Sequence, residues 1–412
     1  MGAADADNGP VTFSVTDSII DSTTDSATDS LADGGTLFAP GKLFLAGEYA
    51  VLDRGRPALV FAVDRGLNLA WRRLGEPLVE LLHRPSGVSL TGDLAADQRA
   101  PVAWRGGVPR ELRFAARAAG LALRLCAEEG RAPRGFSAAF VDDLVADVAP
   151  GSAGLPPKLG LGGSAAASVL AVRAAAAAQG RALPPAEVLA LALAAHWCEQ
   201  GGSGSGGDVA ASALGGVSLV RVRHLWTTPE ALLAGPLRAL LREAPLEVRP
   251  VPVPADLRLL LVFSGRSADT RSLVRQVRAF ADARPARWRA HAEAIASRAE
   301  QLAALLEDSA REPGTAPREA TLEVLRRAAA AMAALGEEAQ VGIVTPELAR
   351  ICALAAAAGA AGKPSGAGGG DSAIVACFGD ATRDRVEQQL AEAGAPALRL
   401  GVAPLLAPGA MA

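Results

Sequence analysis

The chain has 412 residues, 50% hydrophobic and 21% charged, which is enough apolar material for two or three domains and excludes a collagen-like, coiled-coil or wholly disordered chain. Its net charge of −3 is uneven: residues 1–35 hold seven Asp and no Lys or Arg, leaving +4 for the remainder. With aromatics at 4%, so weak a positive balance excludes a nucleic-acid footprint, and apolar runs such as Val188–Ala195 and Ile351–Ala358 are too short to cross a bilayer.

Residues 1–35 carry the loose repeat Thr16-Asp17-Ser18, Thr24-Asp25-Ser26, Thr28-Asp29-Ser30 and are expected to form a disordered acidic tail. No basic stretch followed by an apolar one opens the chain, so no secretory signal is expected. Folded structure is expected from Leu37. Leu43–Leu45, Ala58–Val63 and Leu67–Trp71 read as short strands, with a loop or short helix over Gly47–Leu52. Residues 110–128 have helical spacing, 136–147 read as a strand and its exit, and Ser164–Gln179 and Pro185–Cys198 read as helices. Gly201–Gly207 breaks the second of these, and Val217–Arg223 reads as a strand.

A second region starts near Val251. Leu257–Phe263 reads as a strand, and Thr270–Ala283, Ala286–Leu306, Arg318–Gly336 and Pro346–Gly359 as helices. The loop Lys363–Asp371 leads into the strand Ala373–Phe378, then the helix Thr382–Ala393 and the strand Ala397–Val402. Strands and helices mix without a regular βαβ period, so the expected class is α+β. Four cysteines (Cys126, Cys198, Cys352, Cys377) are far apart with no CxxC pair. That pattern fits free thiols in a reducing cytoplasm and argues against a zinc site or disulfide frame.

Only three of the 41 Lys and Arg residues are lysine: Lys42, Lys158 and Lys363. Each falls in its own glycine-rich segment, where a compact ammonium contacts phosphate differently from a guanidinium fork; chance is the plain alternative. The middle segment, Lys158-Leu159-Gly160-Leu161-Gly162-Gly163-Ser164-Ala165, runs straight into a helix. Glycines let the backbone approach a ligand, and the free amides of a helix start favour an anion. It is neither a Walker loop nor a dinucleotide fingerprint; an ordinary helix entry capped by serine is the competing reading. The last segment, Lys363-Pro364-Ser365-Gly366-Ala367-Gly368-Gly369-Gly370-Asp371, costs backbone entropy and points to a tight loop against a ligand or another backbone. The first is Ala39-Pro40-Gly41-Lys42-Leu43-Phe44-Leu45-Ala46-Gly47-Glu48-Tyr49, which includes the lone tyrosine.

In this order and spacing the three segments resemble the signature motifs of the GHMP small-molecule kinase superfamily, over roughly residues 38–405. Gly47–Leu52, Gln200–Ala210 with the following Ala211–Gly216, Ser264–Thr270 and the closing Asp371 are most similar to bacterial phosphomevalonate kinases. The resemblance implies a two-domain fold. Residues 36–245 would form a mixed α/β nucleotide-binding domain and 246–412 a ferredoxin-like α+β domain. It implies transfer of the ATP γ-phosphoryl group to 5-phosphomevalonate, with ATP and Mg²⁺ as cofactors, and a monomer or homodimer without nucleic-acid or membrane partners.

Residue by residue, the resemblance assigns Lys42 and Asp208 to catalysis. Lys158, Gly160, Leu161, Gly162, Gly163, Ser164 and Ala165 would bind ATP. Lys42, Glu48, Tyr49, Ser205, Gly206, Asp208, Ser267, Ser365, Gly366, Ala367 and Gly368 would bind the acceptor. Ser164 would ligate Mg²⁺, and Glu199 is the nearest candidate for the helix acid that often assists. Lys158, Lys363, Arg266 and Arg271 are further candidates for the positive field that two polyanions need. Two departures stand out: Gly163 replaces the first of two usual serines, and Ser372 stands where cysteine is common. Mevalonate kinase activity and a ligand sensor that has lost turnover remain the alternatives, Gly163 favouring the sensor.

Overall fold

The computed structural model describes residues 33–142, 144, 159–224, 226, 228–242, 245–265, 269–312, 314–370 and 372–405. Of the expected site, Lys158, Ser267 and Asp371 lie outside the described residues, as do Arg266 and the expected tail up to residue 32.

The first sheet contains β1 (Gly34–Ala46), β2 (Pro57–Arg73), β3 (Leu78–His83), β4 (Val88–Leu94), β5 (Val102–Trp104), β6 (Phe136–Phe140), β7 (Val217–Val222) and β8 (Leu246–Pro250). The order is β5-β4-β3-β6-β2-β7-β8, with β1 also paired to β2. Every ladder is antiparallel except β3 with β6. The three short strands expected at the start are two long ones, of 13 and 17 residues. The register shifts between Pro40 and Gly41, so that Pro40 faces Gly66 and Gly41 faces Val63. Asp64 and Arg65 are absorbed in that irregularity, so the polar break expected there bends the ribbon without ending it. Strand β1 also starts at Gly34, inside the stretch expected as tail, and β8 joins the first sheet although the expected division put it in the second part.

Among the described residues, six helices accompany this sheet: α1 (Arg113–Glu128), α2 (Gly163–Ala178), α3 (Pro185–Glu199), α4 (Gly207–Leu214), α5 (Pro229–Ala234) and α6 (Leu237–Arg242). Helix α2 is almost all Ala, Val and Leu and packs against α1, α3, α4, β1 and β2. A helix apolar all round must be covered all round, and its small side chains let the neighbours close in. That fixes the glycine loop at its start.

The second sheet has order β10-β11-β9-β12, formed by β9 (Leu257–Phe263), β10 (Ala361–Pro364), β11 (Ser372–Phe378) and β12 (Ala397–Leu400). Around it lie α7 (Thr270–Ala283), α8 (Pro285–Arg311), α9 (Thr315–Ala339), α10 (Pro346–Ala357) and α11 (Asp380–Glu392). Strand β9 is apolar on both faces. Leu259 and Leu261 join the main core, whereas Leu260 and Val262 pack with Leu348, Ile351, Val386 and Leu390 of α10 and α11. A third cluster unites Tyr49 and Ala50, just after β1, with Val277, Phe280, Trp288, Ile295 and Met332 of α7, α8 and α9. The chain leaving the first glycine-rich segment is therefore built into the helical core of the C-terminal half. Among the described residues, no helix is long and apolar enough to cross a membrane.

Candidate active site

Gly162 caps α2 in the left-handed region, at φ 82°, where glycine carries no steric penalty. A Cβ there would also lie 3.0 Å from Lys42 Cγ. Lys42 holds the loop twice: its main-chain N–H donates to the Leu161 carbonyl at 2.8 Å and its Nζ to the Gly160 carbonyl at 2.9 Å. The Ala165 N–H already donates to the Gly162 carbonyl at 3.0 Å. This corrects the expectation that its amide is free for phosphate, and Gly163 and Ser164 form the helix start that faces the cavity.

That cavity has a volume of about 410 Å³. Leu67, Phe114, Phe140 and Leu144 give it an apolar wall, Arg110 and Arg113 supply positive charge, and Gly160–Ser164 form its floor. Apolar walls with a few convergent polar groups suit an aromatic base joined to a phosphate chain, and the 16-residue helix α2 directs its positive end at the loop.

A second cavity, of about 250 Å³, is lined by Lys42, Glu48, Tyr49, Gln200, Ser205, Asp208, Thr270, Val274 and the run Ser365–Gly368. Gly160 borders both cavities, beside Lys42. Of the described residues lining the second one, Lys42 is the only cation, with Glu48 and Asp208 as carboxylates. Asp208 sits in the first turn of α4, its Oδ1 accepting the Val209 N–H at 2.9 Å. Ser205 lines the cavity, whereas Gly206 caps α4 in a left-handed conformation packed against Leu193, outside the lining.

The first and third glycine-rich segments are tied by two contacts. Tyr49, at φ 62° and thus in a region that a bulky residue occupies only under strain, donates its hydroxyl to the Ala367 carbonyl at 2.6 Å. Burial, then the Glu48 charge, push that hydroxyl above its usual ionisation range. Lys363 lies in β10, not in a loop, is fully buried, and pairs with Glu48 while donating to the Pro364 carbonyl at 2.6 Å. Its charge is already used inside the fold, so the positive field expected of it does not reach a ligand. Burial raises the Glu48 carboxyl despite Lys363 and Lys42, and Glu48 Oε2 is buried with no hydrogen-bond partner among the described residues. Gly368, at φ 73°, is required where it stands, because a Cβ would lie 2.2 Å from the Ile343 carbonyl oxygen. Arg271 is exposed and borders neither cavity.

Glu199 does not face the loop. It pairs with Arg117 at 2.8 Å and lines neither cavity. One turn earlier on α3, at the position where the chain meets Ser164, stands His196, whose Nε2 is 3.0 Å from Ser164 Oγ. None of the sequence motifs singles out this residue; the one local signal is its place in the last turn before the Gly201–Gly207 run. Among the described residues no cluster of three or more His, Cys, Asp or Glu could hold a metal ion. A cation here needs the oxygens of a bound nucleotide, which suits Mg²⁺, a metal commonly held by phosphates and only one or two protein ligands. The Ser164 hydroxyl at the helix start and the Asp208 carboxylate are the oxygen donors on offer.

Residues 134–216 match the family model of the GHMP kinases N terminal domain, and residues 292–396 that of the GHMP kinases C terminal. The chain is 33% identical over 379 residues to the phosphomevalonate kinase of Streptomyces sp. (strain CL190), covering 86% of this chain and 94% of that protein. Among solved structures it is similar to the Lin0012 protein of Listeria innocua (TM-score 0.77, 23% identity, 90% of this chain and 99% of the other). It is also similar to phosphomevalonate kinase of Streptococcus pneumoniae in complex with phosphomevalonate and AMPPNP (TM-score 0.71, 20% identity, 89% and 99%).

Proposed function

This chain belongs to the phosphomevalonate kinase family of the GHMP kinases, and on that premise we propose that it transfers the γ-phosphoryl group of ATP to the 5-phosphate of (R)-5-phosphomevalonate, giving the 5-diphosphate and ADP. The observation that carries the proposal is the meeting of two cavities at Gly160 beside Lys42, one with a helix N-terminus at its floor and one closed by the Ser365–Gly368 loop. In this reading the nucleotide-binding part ends with β8 and the C-terminal part begins at β9.

Phosphoryl transfer is mostly positioning and charge stabilisation. The amides of Gly160, Leu161, Gly162 and Gly163, and the Ser164 amide and hydroxyl, hold the ATP phosphates, with Arg110 and Arg113 at the rim; Lys158 belongs to the same segment. Ser164, with Asp208, would hold Mg²⁺, which when bound neutralises charge on the β and γ oxygens. Lys42 spans the gap between donor and acceptor. As the sole described cation of the acceptor cavity, it takes most of the burden of holding two polyanions together. Glu48, buried and paired with Lys363, braces the wall of the acceptor cavity, and Ser205, Ser267 and the Ser365–Gly368 run position the acceptor. Tyr49 acts from behind, by holding Ala367.

The attacking group is a phosphate oxygen. A phosphomonoester has a second pKa of about 6 and is largely dianionic at pH 7, so no base is needed and Asp208 orients Lys42 and the acceptor. The four free cysteines and the charged, water-soluble substrates support a reducing, cytoplasmic setting for a monomer or homodimer. ADP release with MgATP and, separately, phosphomevalonate, mevalonate and diphosphomevalonate tests the reading. Turnover with phosphomevalonate alone is expected. Turnover with mevalonate reassigns the acceptor, and nucleotide binding without turnover on any acceptor turns the chain into a sensor.

A further inference from the structure

His196 is 2% exposed, in the last turn of α3. Its Nε2 stands among three groups from three places in the chain: Ser164 Oγ on α2 at 3.0 Å, the Gln200 amide nitrogen at 3.4 Å and Asp208 Oδ2 on α4 at 3.8 Å. The Phe114 ring of α1 covers the imidazole, with centroids 5.0 Å apart and planes inclined by 32°. One buried ring nitrogen thus touches the residue that starts the phosphate-side helix and lies next to the carboxylate of the acceptor cavity. Such a group is more than filler, because a smaller apolar residue would fill the space without bonding to Ser164.

The geometry assigns a direction to the bond. An amide nitrogen only donates, so Gln200 addresses Nε2 as an acceptor. An acceptor Nε2 takes the hydrogen of the Ser164 hydroxyl. The serine oxygen is then left with both lone pairs for the cavity side.

We propose that His196 is a positioning residue that accepts the Ser164 hydroxyl hydrogen at Nε2 and thereby presents the serine lone pairs to the cation carried by the nucleotide. The inference rests on the kinase reading for the identity of that cation. An imidazole at this point has a further consequence: unlike a carboxylate, it brings no negative charge to the place where a phosphate acceptor must arrive beside ATP. Partners that orient a metal ligand from behind typically change metal affinity or activity about 10- to 100-fold when removed.

The test is calorimetric binding of AMPPNP to the full chain, with Mg²⁺ and with EDTA. His196→Ala is expected to weaken Mg²⁺-AMPPNP binding about tenfold while leaving metal-free AMPPNP within about twofold, and to raise the Mg²⁺ concentration needed for half-maximal turnover. His196→Gln, which keeps an acceptor, is expected to restore most of the difference and serves if the alanine variant does not fold. In a Ser164→Ala background, His196→Ala is expected to cause no further loss. Equal weakening of both nucleotide forms, failure of Gln to restore, or additive losses with Ser164→Ala would each overturn the proposal and leave His196 as packing. Binding is read without an acceptor, so an error in the phosphomevalonate assignment would appear in the ADP-release assay and leave this result standing.

Discussion

The Lys42 ammonium donates to the main-chain carbonyl of Gly160, 2.9 Å away, at the one described residue that borders both cavities together with its own reach into the acceptor side. A carbonyl is a weak partner for an ammonium, and a phosphate oxygen is a stronger, charge-assisted one. A reacting phosphate oxygen therefore competes favourably for the ammonium that the loop carbonyl holds. Lys42→Met is expected to lower kcat by about 100-fold or more, the usual loss when one donor to transition-state charge is removed. AMPPNP affinity is expected to change only a few-fold. A kcat near wild type with a raised KM would show that Lys42 merely binds.

Asp208 shares the acceptor cavity with Lys42 and already accepts its neighbour's amide, a fixed geometry suited to orientation. Asp208→Asn is expected to reduce kcat while leaving the acid limb of the rate–pH profile centred at about pH 6, where the substrate phosphate loses its second proton. Loss of that limb in the variant would instead make the carboxylate a general base.

The Tyr49 hydroxyl is 2.6 Å from the Ala367 carbonyl, so Tyr49→Phe removes the donor and leaves that carbonyl unpaired at the acceptor loop. A lost buried hydrogen bond of this kind costs about 1–2 kcal/mol. The expected readout is a several-fold rise in KM for phosphomevalonate with KM for ATP little changed. Equal rises for both substrates would mean that the contact supports the fold at large.

The glycine loop was legible because three glycines in four residues followed by an alanine-rich run admit few other structures, and the helix starts at Gly163, one residue from the expected Ser164. Lys42 and Asp208 were legible only as members of motifs; nothing in their local sequence says that they share a cavity. Lys363 was misjudged for a physical reason. The glycines that follow it suggest a loop from their start, whereas β10 pairs Lys363 with Ile374 and buries it. Its partner Glu48 is 315 residues away, and periodicity carries no information over that distance. Glu199 and His196 are both on α3, and only the helix phase, set by packing against α1 and α2, decides which faces Ser164.

That distant pair also makes the firmest stability prediction. Lys363 and Glu48 are 0% and 4% exposed at their side chains, so removing one partner leaves the other buried without its counter-charge. Glu48→Gln alone is expected to destabilise the fold by about 3–5 kcal/mol, and the double variant Glu48→Gln, Lys363→Met to recover most of it, since a buried pair is often no more stabilising than an apolar replacement. The pH dependence has a definite sign. Burial raises the Glu48 carboxyl in the folded state above the ordinary value of 4.5, so between the unfolded and folded values the folded chain holds a proton that the unfolded chain has released. Its contribution to stability is full below 4.5 and declines as pH rises through the folded value. Urea unfolding of wild type and double variant over this range should show the decline in the first and not in the second. The same slope in both would show that the dependence arises from other groups.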